Sequence, residues 1–270
     1  MANILDYLDW RGDLQISERS FNEVDNLLLA ELCYLDFGGI VPPGFDAPVP
    51  LQEAMRRYDV LREHESMGVL VPDQIPELGR RMAASARFSG LLLCGYENKI
   101  DDETQTQFSA LTLLLPDGTA YVAFRGTDDT IVGWKEDCLL TVMDEIPAQR
   151  DAVEYLTWAA SVYPGKIAVG GHSKGGNLAV YASAFCGEEI QSRIESVYNH
   201  DGPGFLSEVV TREGFQRILG RVHTFVPQSS VVGMLLQHEE GCAIVHSTNT
   251  WLLQHDLYSW ETACNGLVFT

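Results

Sequence analysis

The chain has 270 residues, 46% of them hydrophobic and 21% charged, enough to bury a large core without disulfide or metal staples. Lys and Arg number 18 against 38 Asp and Glu, a formal net charge of −20. That excludes a nucleic-acid backbone binder, which needs a basic footprint, and disfavours electrostatic docking on anionic lipid.

The chain begins MANILDYLDWRGDL, with neither a basic leader nor a continuous apolar stretch, and no apolar run reaches the roughly eighteen residues of a membrane span. The expectation is a cytoplasmic protein without stable membrane insertion. Phe21 to Tyr34 reads as a helix with Asn22 as its cap. Gly38 to Pro50 carries four prolines and three glycines and is irregular, and Leu51 to Glu65 reads as a charged, exposed helix. From Phe88 onward strands and helices alternate. Phe108 to Leu115 and Thr119 to Phe124 are strand-like around a Pro116-Asp117-Gly118 turn, and Ala148 to Tyr163 is helical. Then follow Lys166 to Gly170 (strand), Lys174 to Cys186 (helix), Ile194 to Asn199 (strand) and Val222 to Val226 (strand). Such alternation implies an α/β fold with a mostly parallel central sheet and helices on both faces. We read a single domain over 1–270, with 1–87 as an N-terminal helical extension and possible cover and 88–270 as the core. The six cysteines are widely spread, without Cys-x-x-Cys or a Cys/His cluster, so they read as reduced thiols and imply neither metal nor cofactor.

The sharpest chemical signal is Gly170-Gly171-His172-Ser173-Lys174-Gly175-Gly176 between a strand and a helix. Gly-x-Ser-x-Gly in that context places a serine on a strained turn, with glycines where the turn crosses its neighbours and helix N–H groups aimed at the reaction centre. The plainer reading is a glycine-rich turn that packs a helix on a strand, which does not require serine at 173. The second signal is Phe124-Arg125-Gly126-Thr127, a strand end that can set Thr127 beside the nucleophile, followed by Trp134-Lys135-Glu136-Asp137.

Together these segments resemble the class 3 (fungal-type) lipase family of α/β-hydrolases over roughly residues 108–201, and more loosely over the last fifty. FNEVDNLLLAELCYLDF also resembles bacterial lipase-like relatives of unassigned substrate. The resemblance implies an α/β-hydrolase fold with Ser173 as nucleophile and an oxyanion hole formed by Thr127 and the backbone N–H of Lys174. A lysine after the nucleophile departs from the family's usual apolar residue. Its ammonium is expected to reach solvent, or alternatively to select an anionic group. Arg125 and Asp137 are expected to form a structural ion pair.

A base follows the nucleophile in this chain order, which leaves His200, His223, His238, His246 and His255. The Gln254-His255-Asp256-Leu257-Tyr258 segment resembles the family's histidine-bearing stretch, so His255 is favoured and His246 is second; His223 and His238 read as structural. The family's usual acid position, in Pro227-Gln228-Ser229-Ser230, holds no carboxylate. Asp201, at the end of the preceding strand, is the candidate acid. The alternatives are that Asp201 merely caps a turn while Ser230 orients His255, and, last, Asp256.

The expected function is a cofactor-free serine hydrolase of carboxylic esters, acting on a small-molecule or lipid ester through Ser173, His255 and Asp201. Rivals are a thioesterase, peptidase or acyltransferase with the same triad, or a non-catalytic binding module. The short interval from Thr127 to Ser173 leaves no room for a large lid, so any cover is expected from Gly38 to Glu65.

Overall fold

The computed structural model describes residues 1–62, 72–101, 103, 106–127 and 143–270. Among them, eight strands form one sheet in sequence order. They are β1 (Val49–Pro50), β2 (Leu92–Asp101), β3 (Thr106–Leu114), β4 (Ala120–Phe124), β5 (Ile167–His172), β6 (Ile194–His200), β7 (Val222–Pro227) and β8 (Cys242–Val245). The pairings from β1 to β4 are antiparallel and those from β4 to β8 are parallel. Four long helices precede or follow the antiparallel edge: α1 (Ile4–Arg11), α2 (Glu23–Leu32), α3 (Leu51–Leu61) and α4 (Ile75–Ala84). Two more, α5 (Pro147–Val162) and α6 (Lys174–Phe185), connect the parallel strands. A two-stranded ribbon, β9 (Thr262–Ala263) with β10 (Gly266–Leu267), lies near the C-terminus. The whole is an α/β-hydrolase-like architecture.

The central strands are buried on both faces, and the period of two divides them between two cores. Tyr121 and Ala123 join Leu27, Leu28, Phe37 and Phe88 on the side of the first four helices. Val122 and Phe124 join Leu156, Leu178, Val180 and Phe215 on the side of α5 and α6. Helix α2 is buried from Val24 through Leu32. Its start is sealed by a capping box, in which the Asn22 side chain accepts from Val24 and Asp25 N–H and the Asp25 side chain accepts from the Asn22 N–H. Asp25 also holds Arg87 in a fully buried ion pair. The Arg87 guanidinium donates to the carbonyls of Leu14, Arg19 and Ser20, so one side chain ties the N-terminal loops to α2.

The expected helices and strands fall within a few residues of their places. The sequence pattern did not reveal β2 or β8. The buried apolar face of α5 is Ala148, Ala152, Tyr155, Leu156, Ala159 and Ala160, with Val153 packed against its margin. The proline-rich stretch is tied to β2, with the Gly95 N–H donating to Gly44 O and the Tyr96 N–H to Pro42 O. Phe45 packs edge-on against Trp158 and Tyr163. Helix α3 ends at Leu61, and residues 63–65 of the expected helix lie outside the described residues, as do 128–142 of the interval in which no large lid was expected. Cys33, Cys94 and Cys186 are buried free thiols, whereas Cys264 is exposed. No helix among the described residues is long and apolar enough to cross a membrane.

Candidate active site

Strands β5 and β6 end side by side, with His172 opposite His200, and the chain turns sharply after each. At the first turn Ser173 has φ 58° and ψ −133°, a positive-φ conformation that L-residues rarely adopt. Such a residue costs on the order of 1–3 kcal/mol and persists only where its surroundings over-determine it. Here they do. The Ser173 N–H donates to His200 O at 2.9 Å, and Ser173 O accepts the Gly176 N–H at 2.9 Å. A Cβ on Gly171 would stand 2.4 Å from the Gly175 carbonyl carbon, and one on Gly175 would stand 2.1 Å from Phe124 O. Both positions therefore need glycine for α6 to cross β4 and β5. Although Ser173 precedes α6, its side chain caps none of the helix N–H groups. A serine retained for capping would accept one of them.

At the second turn Asp201 has φ 51°, and its N–H donates to Phe225 O at 2.8 Å. The turn itself is closed by Asn199, whose Oδ1 accepts the Gly202 N–H at 2.9 Å, so the Asp201 carboxylate is not used as a turn cap. Its Oδ2 meets His255 Nδ1 at 2.7 Å, and its Oδ1 accepts the Ser230 hydroxyl. The structure thus brings Asp201, His255 and Ser230 together, with Ser230 on the far oxygen of the carboxylate rather than on the ring. Ser230 Oγ in turn accepts the Gly233 N–H at 2.9 Å. Asp256 faces its own helix turn, accepting the Tyr258 N–H.

His255 is carried by a loop with strong polar anchors. Gln254, buried, accepts the Ser229 N–H through Oε1 and donates from Nε2 to Asn249 O. Trp260 Nε1 donates to Gln254 O, and Gln228 Nε2 donates to Ser247 O. No hydrogen bond joins Ser173 Oγ to His255 among the described residues. Such bonds are often long before substrate is bound.

Gly126 lies against the elbow, since a Cβ there would be 3.0 Å from Ser173 Cβ; Thr127 follows it and is half-buried. Lys174 corrects an expectation: its ammonium does not reach solvent. Nζ is buried and donates to Gln107 O at 2.9 Å and Gln107 Oε1 at 2.7 Å, because α6 starts against the first residues of β3. The alternative role of selecting an anionic group loses its footing for the same reason. Arg125 is buried, and one of its terminal nitrogens donates to Asn98 Oδ1. Its expected partner Asp137, together with Trp134, lies outside the described residues. His246 pairs with Glu261 at 2.8 Å, His238 with Glu240 at 2.9 Å, and His223 stacks on Tyr198. His200 is buried on Asn26, and burial pushes its pKa down to about 3.

The sequence reading passed over one group beside these residues. His172 is buried, its Nε2 is 2.9 Å from His255 O, and its Nδ1 is 3.1 Å from the Tyr34 hydroxyl. The rings of His172 and His255 lie with centroids 4.5 Å apart, tilted 35° to one another. Glu31 Oε1 lies 3.8 Å from His172 Nδ1. Burial pushes the Glu31 carboxyl well above, and His172 well below, their usual ranges, so the contact is between neutral groups rather than an ion pair. The signal available was the apolar run around Glu31 in α2, which left that carboxyl no route to solvent.

Residues 82–269 match the family described as Mbeg1-like. The chain belongs to the Mbeg1-like family. No curated protein matches it. Among solved structures it is similar to the Rhizomucor miehei lipase propeptide complex, at 18% identity over 67% of this chain and 65% of that one, with a TM-score of 0.44. It is also similar to M37 lipase, at 12% identity over 79% and 70%, TM-score 0.49, and to a Penicillium expansum triacylglycerol lipase, at 13% over 63% and 73%, TM-score 0.36. The chain therefore spans just under two thirds of the Rhizomucor miehei structure's length. The sheet order and flanking helices of this Mbeg1-like chain are those of an α/β-hydrolase-like fold. Among its described residues no group of His, Cys, Asp and Glu is arranged to hold a metal ion.

Proposed function

We propose that this protein is a serine hydrolase of carboxylic esters, with Ser173 as nucleophile, His255 as general base and Asp201 as the acid that orients it. The observation that carries the reading is the 2.7 Å hydrogen bond from His255 Nδ1 to Asp201, together with Ser173, which follows the His172 that touches His255 and whose backbone is strained and whose side chain caps nothing. With Nδ1 donating to the carboxylate, the opposite nitrogen, Nε2, is the one that takes the Ser173 proton. Ser173 Oγ attacks the acyl carbon, and the oxyanion is met by backbone N–H groups at Thr127 and at Lys174, the first residue of α6. Return of the proton from His255 to the leaving alkoxide releases the alcohol. Water, deprotonated by His255, then cleaves the acyl-serine to give the carboxylic acid and free Ser173.

The rim supports an apolar acyl part for the substrate. Trp251, Leu252 and Leu253, just ahead of His255, are 78%, 61% and 68% exposed, and Val231, Met234 and Leu235 after Ser230 are exposed as well. The proposal is tested with a series of p-nitrophenyl esters of increasing acyl length. Hydrolysis by the wild type and its loss in Ser173→Ala, by a factor on the order of 10⁴–10⁶ in kcat, is the expected result. Retention of more than a tenth of the activity in the pure variant overturns it.

A further inference from the structure

We propose that His172 is a positioning residue for His255: it anchors the base loop through the His255 carbonyl, lies beneath the base as a second imidazole, and has its own tautomer fixed by Tyr34. The inference rests on the reading of His255 as the base and adds a group that the triad does not contain.

The bond polarity follows from elementary chemistry. A backbone carbonyl can only accept, so the 2.9 Å contact with His255 O requires a proton on His172 Nε2. A neutral imidazole then carries a bare Nδ1, and the Tyr34 hydroxyl at 3.1 Å must donate to it. That hydroxyl also packs against Gly126, one residue before Thr127, where an added Cβ would stand 2.3 Å from it. Tyr34 thus joins the end of β4 to the residue before Ser173, and His172 joins that residue to the base. The chain of contacts runs from Gly126, next to one oxyanion element, through the nucleophile's neighbour to the base.

The surrounding charges keep this arrangement neutral. Among the described residues, Glu31 and Tyr34 face His172 from the α2 side, His200 faces it from β6, and His255 covers it from the C-terminal loop. Asp256 and Tyr258 face Glu31, Arg125 faces Tyr34, and Asp201 faces His255 on its other edge. Two imidazoles with centroids 4.5 Å apart oppose double protonation, and of the two only His255 has a carboxylate at hydrogen-bond distance. When a proton arrives from Ser173, it is therefore held on His255 and not shared with the ring beneath. The His172 tautomer, a donor toward His255 O, keeps the loop in place through that step.

Gln can reproduce this polarity, since its amide N–H₂ donates and its amide oxygen accepts. Phe keeps an aromatic ring under His255 but makes neither bond. The test therefore compares His172→Gln, His172→Phe and Tyr34→Phe with wild type by steady-state ester kinetics and by the rate at which a fluorophosphonate labels Ser173. His172→Phe is expected to lose on the order of 10²-fold in kcat with KM within about twofold, and labelling slows by the same factor. His172→Gln recovers to within about fivefold of wild type, and Tyr34→Phe falls between the two. In ¹⁵N-histidine spectra of the wild type, the signal lost in His172→Gln is expected to show a protonated Nε2 and a bare Nδ1 from pH 8 to 5.5. Equal activities in the Phe and Gln variants, or a His172 signal that titrates in that range, overturn the proposal. A wild type that neither hydrolyses esters nor accepts the label instead overturns the reading of Ser173 and His255, with the spectra still reporting the His172 tautomer.

Discussion

The two turns that converge on the site are built by opposite means. The Ser173 turn is made by its own neighbourhood in sequence: strand, serine, helix, and glycines at 171 and 175 whose missing side chains let α6 meet β4. The Asp201–His255 pair is made at a distance of 54 residues. It depends on Gln254 holding Ser229, Ser230 holding the carboxylate, and Trp260 holding the loop from behind. A local motif is readable because steric exclusion writes it into a few adjacent letters. A long-range polar scaffold leaves no comparable pattern, since each of its members is an ordinary Gln, Ser or Trp.

The largest effect that separates the two comes from Asp201→Asn. It leaves the elbow untouched and is expected to lower kcat by about 10⁴, because the ring's tautomer is no longer fixed and its protonated form loses its counter-charge. Steady-state kinetics on the folded variant check this. Near-normal activity there, with collapse in Ser230→Ala, would move the orienting role to Ser230.

Next is the elbow's own stability. Gly175→Ala places a methyl 2.1 Å from Phe124 O, a backbone atom that cannot swing aside, and is expected to cost about 3 kcal/mol. Gly220, where an added Cβ meets nothing within 4 Å, is the control, and Gly220→Ala should stay within about 0.5 kcal/mol. Urea unfolding midpoints measure both. Equal effects at the two positions would mean that the close crossing is not what holds the turn.

Reading the sequence recovered most of the central strands and the strand–turn–helix around Ser173, because these segments are short, apolar and bounded by turn residues. It left β2 unrecognised, since Glu97, Asn98, Lys99 and Asp101 interrupt its apolar pattern where the strand runs past the buried core. It treated residues 1–87 as an extension, whereas α2 is buried along its length and carries Glu31 and, just beyond its end, Tyr34 to the neighbourhood of His172. It also sent the Lys174 ammonium to solvent; nothing in a local window shows that the start of β3 lies against it. Asp201, which hydrogen-bonds to His255, was proposed from the order of strands rather than from the resemblance, which points to a later strand that holds no carboxylate.

The base of the fold offers a smaller test through pH. His200 is buried with its pKa lowered to about 3, so the unfolded chain takes up a proton first as pH falls. Its contribution to stability is fully present above the ordinary histidine value near 6.5 and is lost progressively toward 3. Glu31, raised by burial, works the other way, with a contribution present at low pH and lost as pH rises. The His200 share is therefore read by difference. Between pH 7.5 and 5.5, His200→Gln should lose about 1 kcal/mol less than wild type in urea unfolding. Identical losses would show that His200 is not held neutral.

A smaller effect on the site itself is expected from Ser230→Ala. It removes one hydrogen bond to the Asp201 carboxylate while the bond to His255 remains, and a charge-assisted hydrogen bond is worth about 1.5–3 kcal/mol. Only part of that reaches the transition state, so a fall of about tenfold in kcat is expected, with KM unchanged.

The most direct measurement of the central claim is the intact mass of the protein after exposure to a fluorophosphonate, followed by mapping of the modified peptide. A strained, unbonded serine beside an oriented histidine should gain one adduct, on Ser173, and Ser173→Ala should gain none while His255→Ala gains it far more slowly. An unmodified wild type, or an adduct on any other residue, would contradict the account.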